Sequence, residues 1–259
     1  PAKIAVMVNQ FCTRFSNGSD PQYDPYVVRL HIRNIFGQEG YWIPHSWSLK
    51  QLMSQDERYP KPHPNPCYPI IDVDQWCQHN PQWRGQERKI PVIGSYGQDD
   101  YAKWPEEITA LKQAYGIDQL WEWEVKLLGS AKFAINWLGR CPENWQVIDI
   151  DCNSISIQNF LKELDFFVYY PHEKHVEEIN HIMIKAMAVG IPVIIPPRFK
   201  ETFGKAALYA NPKEVRVIVQ QLWQNKTKYI ECVKSGQDFV KQHCDMKKFV
   251  EFMNTIKQT

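Results

Sequence analysis

Residues 165–210, DFFVYYPHEKHVEEINHIMIKAMAVGIPVIIPPRFKETFGKAALYA, constrain this chain more than any other stretch. Phe166 to Tyr170 is a continuous apolar and aromatic run ending at Pro171, which predicts a strand buried on both faces of a parallel sheet. The period then changes. Val176, Ile179, Met183, Ala186 and Met187 recur at three- and four-residue spacing, the buried stripe of a helix running from about 176 to 189. Gly190 supplies a stop, and Pro192 to Pro196 (PVIIP) reads as a second buried strand. The whole is a β-α-β unit.

In such a unit the loop leaving the first strand and the first turn of the helix face the crevice at the carboxyl ends of the strands, where open α/β sheets bind ligands. Glu177 falls at that first turn, and Glu177, His181 and Lys185 follow one another at intervals of four. On a helix they form one polar column, roughly 12 Å long. A dipole-capping carboxylate with a solvated ladder behind it would give the same column as a binding site.

Composition sets the outer limits. The 259 residues suffice for a large core and one or two domains, and 44% apolar and 23% charged residues are those of a globular protein. A net charge of +1 argues against broad affinity for nucleic acid. No apolar run approaches the roughly 20 residues that cross a bilayer. The seven cysteines, at 12, 67, 77, 141, 152, 232 and 244, are scattered and never form a Cys-x-x-Cys pair. They read as reduced thiols in a cytoplasmic protein, with neither a disulfide frame nor a zinc site.

The chain starts at Pro1 and enters a strand-like run, KIAVMVNQF, at once, as expected of a piece cut from a longer protein. Residues 26–36 have a helical pattern capped by Gly37, residues 40–44 are a short strand candidate, and Ser46 can cap a second helix. Prolines at 60, 62, 64, 66 and 69 exclude both a helix and a central strand there, leaving a stiff surface connector or a polyproline ligand. The polar residues 77–88 close this segment and divide the chain into 1–88 and 89–259.

From Lys89 strands and helices alternate. Strands are expected at 89–94, 120–128, 145–150, 166–170, 192–196 and 206–210, and helices at 106–115, 131–138, 157–164, 176–189, 212–223 and most of 229–256. That order predicts an α/β, doubly wound (Rossmann-like) parallel sheet with right-handed crossovers. After the first of these strands, GSYGQDD (94–100) offers two glycines where a backbone could approach an anion, with Lys103 beyond them. It is neither a dinucleotide fingerprint nor a P-loop, and a plain β-α turn would read the same. Asp149 and Asp151 form an Asp-x-Asp that reads as a strand end, so no metal site is expected.

GSYGQDDYAKWP (94–105), together with residues 165–210, resembles the carboxyl-terminal, donor-binding part of a GT-B fold, family 4-like glycosyltransferase. That family carries a Glu-(seven residues)-Glu motif ending in Glu-Ala-Met-Ala-x-Gly-x-Pro-Val-Ile. Glu177 matches its first position and Ala186 to Ile194 its tail, while Lys185 replaces the second Glu. Over residues 1–88 the chain resembles the close of the family's amino-terminal domain and the crossing to the second, partial because most of the acceptor domain would precede residue 1.

The resemblance implies a retaining hexosyltransferase in the full-length parent, with a nucleotide-diphosphate sugar as substrate, no cofactor and a glycan or lipid-linked acceptor. It also leaves membrane-surface association of the parent open. Glu177 would be the catalytic residue, receiving hydrogen bonds from sugar hydroxyls. Gly94, Ser95, Lys103, His175, Asn180 and Lys185 would complete the donor site. Ser95 stands where the family puts a basic residue and Asn180 where it puts a glycine. With Lys185, these departures motivate an alternative, a noncatalytic degenerate GT-B domain that binds sugar nucleotides or glycans or acts as a scaffold. A third reading makes the aromatic first segment (Tyr23, Tyr26, Trp42, Trp47) a surface that docks on another chain.

Overall fold

A computed structural model describes residues 3–78, 82–97, 99–117, 123–148, 156–176 and 179–258. The chain divides into two compact units, one of residues 1–72, 174–180 and 242–259, the other of 73–173 and 181–241. The break between them falls at 72/73, ahead of the polar stretch at 77–88, and the last helix returns to the first unit.

The first unit opens with β1 (Ala5–Val8), α1 (Pro25–Phe36), β2 (Tyr41–Pro44) and α2 (Trp47–Gln55), and the two strands pair in parallel. Local chemistry sets the helix ends. The Asp24 carboxylate accepts from the Tyr26 amide at 2.9 Å and Pro25 opens α1, whereas Gly37 closes it at φ 70°. Ser46 caps α2 by accepting from the Leu49 amide. The proline run is neither helix nor strand. Between its prolines, the His63 and Cys67 amides donate to the Trp42 and Pro44 carbonyls at 2.7 and 2.8 Å, so the strap covers the outer edge of β2. Trp42 and Ile43 point to opposite faces of β2, each into its own apolar cluster.

The second unit begins with α3 (Val73–Trp76) and β3 (Val92–Gly97), then α4 (Ile108–Ala114), β4 (Glu124–Gly129), α5 (Lys132–Leu138), β5 (Trp145–Ile148), α6 (Ile157–Lys162) and β6 (Phe166–Val168). It continues through α7 (His181–Val189), β7 (Val193–Ile195), α8 (Lys200–Phe203), β8 (Leu208–Tyr209), α9 (Val215–Trp223) and α10 (Lys226–His243). The closing α11 (Met246–Gln258) belongs to the first unit. Six strands form one sheet in the order β5-β4-β3-β6-β7-β8, every pair parallel. Ile93, Val125, Leu127, Phe166, Val168 and Ile194 share one core with the buried faces of α4, α5, α9 and α10. On the other face, Leu164, two residues past the end of α6, fills the space above Gly94.

Each strand and helix anticipated in the second unit is present, with ends moved by a few residues. One displacement matters. The helix expected from 176 starts instead at His181, because residues 174–180 leave the second unit and pair with the first: the Val176 amide donates to the Arg14 carbonyl, the Ser16 amide to that of Lys174, and His175 bridges to Phe15. The Asp149 to Asp151 pair and the start of the strand expected from 120 lie outside the described residues.

Candidate functional site at the carboxyl edge of the sheet

The sheet starts in its middle. From β3 the chain moves outward through β4 to β5, crosses back, and continues outward the other way through β6, β7 and β8. The topological switch therefore lies between β3 and β6, and open α/β sheets of this kind bind ligands in a crevice outside the carboxyl ends of the strands at that point.

Both lips of that crevice are held in place. On the β3 side the Asp100 carboxylate caps a turn at Tyr101–Lys103 by accepting from the Ala102 amide at 3.0 Å. Trp104, 1% exposed, then stacks on Trp145 at 6.0 Å and anchors the turn in the core. Lys103 thus stands on a fixed backbone beside the crevice, half-buried. On the β6 side the His172 amide donates to the Ala102 carbonyl at 3.0 Å, tying the two lips together. Arg198, just after β7, donates from Nη2 to the His172 carbonyl at 3.1 Å and from Nη1 to the Glu173 carbonyl. A guanidinium so placed sets the loop's path and brings positive charge to the carboxyl edge.

Around these lips Glu106, His172 and Glu173 bring three potential metal-ligand atoms within 4.8 Å of one another. Glu173 receives the Glu106 amide on Oε2 at 2.8 Å, and His172 Nε2 lies 4.0 Å from Glu106 Oε2. The spacing of these three residues along the chain does not mark them as a group, because they meet only when the loops after β3 and β6 do.

The residues expected to bind a donor are dispersed. Gly94 sits inside β3, paired with Lys126 and Phe167, and a Cβ there would lie 1.9 Å from Leu164 Cδ1. Gly97 likewise ends the strand, its missing Cβ excluded by the Ser130 carbonyl at 2.5 Å. Packing within the sheet is by itself sufficient reason for a glycine at both positions. Ser95 is 1% exposed, and its Oγ lies 3.2 Å from the Tyr115 hydroxyl. Burial pushes that phenol up to about 12, an effect only partly offset by the bond from Ser95.

Lys185, on α7, holds its ammonium 5.2 Å from the centre of the Trp76 ring on α3, a cation–π contact. His175 and Asn180 fall in the first unit, where His175 is buried against Phe15 with ring centres 5.8 Å apart. Glu177 lies outside the described residues. Among the described members of the set, Lys103 lies in the turn that follows β3 at the switch point, and Arg198, which lay outside it, holds the loop that follows β6. The aromatic docking surface is also altered, since Trp42 is 1% exposed and Tyr23 shares a 2.7 Å hydrogen bond with Tyr59, while Tyr26 and Trp47 remain open to solvent.

The parallel six-stranded sheet, its flanking helices and its switch point at β3 and β6 match the GT-B fold of solved glycosyltransferases. Solved structures agree. Anabaena HepE, determined with UDP and glucose, superposes with a TM-score of 0.69 at 13% identity over 99% of this chain and 72% of that one. A Rickettsia africae glycosyltransferase gives 0.63 at 12% identity over 90% and 68%. S. aureus TarM, solved with Fondaparinux, alpha-GlcNAc-glycerol and UDP, gives 0.66 at 13% identity over 97% and 50%. No protein-family model matches the chain, and no curated protein matches its sequence. Among the described residues no helix is long and apolar enough to cross a membrane, and all six cysteines are free thiols.

Proposed function

We propose that this chain binds a nucleotide-diphosphate sugar at the crevice between β3 and β6 and serves glycosyl transfer from it. The carrying observation is the switch point itself, with two hydrogen-bonded lips bearing Lys103 and Arg198, in a fold whose solved neighbours hold UDP or UDP-glucose. A departing diphosphate gathers negative charge, and fixed cations and amides stabilise that charge without reorganising. In this reading Lys103 faces the diphosphate and Arg198 shapes the loop that receives it. Glu177, the match to the first motif carboxylate, meets the sugar hydroxyls. The finer assignment is a retaining, family 4-like hexosyltransferase working in the cytoplasm on a glycan or lipid-linked acceptor, with membrane-surface association through a longer parent.

Titration calorimetry with UDP and UDP-glucose tests the reading. Lys103→Ala is expected to weaken UDP at least tenfold, in line with the about 1.5–3 kcal/mol of a charged hydrogen bond. Glu177→Ala should spare UDP and weaken UDP-glucose. If neither ligand binds, or if Lys103→Ala leaves both affinities unchanged, the donor site is not here.

A specific pair of observations favours a second reading, a binding domain without turnover. Lys185 lies against Trp76 and the Ser95 hydroxyl on Tyr115, so two positions of the family's donor motif serve the fold's own packing. Binding of UDP-glucose without hydrolysis or transfer by the longest available form of the protein would favour it.

A further inference from the structure

The first unit contains a cavity of about 300 Å³ to which neither lip of the crevice contributes a residue. It lies among the start of α2, the proline strap and the start of α11. That volume is at the low end of the roughly 300–1,000 Å³ spanned by small-molecule sites, which suits one or two rings rather than a long chain.

The lining combines aromatic faces with planar amides. Trp47, Tyr68 and Phe252 supply rings, and Asn65 and Gln242 supply carboxamides. The rings are held in orientation: Phe252 meets His63 edge-on at 5.1 Å, Tyr68 packs on His243 at 5.2 Å, and the Lys50 ammonium lies 4.6 Å from the centre of the Trp47 ring. The loop carrying Asn65 is fixed as well, because His63 Nδ1 lies 3.2 Å from the Asn65 amide nitrogen and 2.8 Å from its carbonyl oxygen. With the backbone so engaged, the Asn65 carboxamide makes no hydrogen bond among the described residues. The same holds for the carboxamide of Gln242 and the indole N–H of Trp47. Trp47 nevertheless leaves 38% of its surface to water.

Three rings and three uncommitted polar groups are complementary to a molecule with an apolar face and a rim of hydroxyls. A pyranose has that shape: its axial C–H bonds form a face that stacks on an aromatic ring, and its equatorial hydroxyls pair with carboxamides. Charge narrows the choice further. Among the residues that line the cavity, Lys248 is paired with Glu251 at 2.8 Å and burial holds His243 below its ordinary value, so this lining is not built around a cation for an anion. A lipid tail would want an unbroken apolar lining, which the two carboxamides interrupt.

We propose that this cavity is a carbohydrate subsite for a neutral hexose or N-acetylhexosamine ring of an oligosaccharide, separate from the nucleotide crevice of the second unit. It stands on its own residues and does not require the donor reading to hold.

Saturation-transfer NMR with maltotriose and with triacetylchitotriose, on the chain as given, tests it. The expected result is saturable transfer to ring protons of at least one sugar, weakened at least tenfold by Trp47→Ala and by Phe252→Ala, and largely kept by Trp47→Phe. Thermal melts confirm that the variants are folded, and Asn65→Ala, on an exposed loop, provides a change without core disruption that should weaken binding at least threefold. No saturable transfer from either sugar up to about 10 mM overturns the proposal, as does transfer unchanged in Trp47→Ala and Phe252→Ala. UDP affinity is expected to be unaltered in Trp47→Ala. Loss of sugar binding with UDP intact therefore identifies this subsite, whereas absence of UDP binding with sugar binding intact refutes only the donor site.

Discussion

At position 94 an alanine methyl would meet Leu164 Cδ1 at 1.9 Å and Cγ at 2.7 Å, in a core where Leu164 is 2% exposed. Close-packed interiors give way poorly, so Gly94→Ala is expected to cost about 1–3 kcal/mol in urea denaturation whether or not a nucleotide is present. Because the obstacle is one side chain, the cost should shrink in a Leu164→Ala background. An additive double mutant would mean that Leu164 is not the cause. At this scale a glycine near a strand end reads alike whether its lost Cβ makes room for a ligand or for a neighbour. Only the position of Leu164, seventy residues along, separates the two.

At the scale of elements, the amino ends of β3 and β6 are clamped by one buried carboxylate. Asp165, fully buried, accepts from the Val92 amide at 2.8 Å and from Arg88 Nη1 at 3.0 Å, with Arg84 Nη1 at 3.4 Å. Burial outweighs these donors and raises its pKa above the ordinary 3.8. The folded state then binds more protons than the unfolded one between 3.8 and the raised value, so this group's contribution falls as pH rises through that window. Two outcomes follow. Asp165→Ala, which strands both guanidiniums and the Val92 amide, should cost about 3–5 kcal/mol. Asp165→Asn should cost less, and less at about pH 7 than at about pH 4.5. Urea denaturation at the two pH values checks both, and equal costs for the two variants would remove the charge argument. The clamp sits at the opposite end of the strands from the crevice, so its role is to fix the sheet that positions β3 and β6.

For the whole chain, the return of α11 to the first unit is the contact that sequence distance hides most. Ile256 is 3% exposed and packs with Ile43 and Cys67, and Lys3 Nζ donates to the Ile256 carbonyl at 3.2 Å across almost the entire sequence. Ile256→Ala should therefore destabilise the first unit by about 2–5 kcal/mol, read as earlier loss of protection at β1 and β2 in hydrogen exchange. Protection lost equally in both units would instead mean that they unfold together.

The alternation of apolar runs with amphipathic stretches determined the parallel α/β architecture by itself, since period and turn chemistry are local: FFVYY, the stop at Gly190 and PVIIP could be placed without any neighbour. Gly37 and Ser46 were legible for the same reason. The tertiary structure decided what depends on partners far along the chain. It drew Val176, Ile179 and Asn180 away from a helix their spacing favoured, gave Ser95 and Lys185 to Tyr115 and Trp76, and brought Lys103 and Arg198 to one switch point. Spacing encodes the face a side chain takes on its own element, whereas the group it meets there depends on the order in which strands are laid into the sheet.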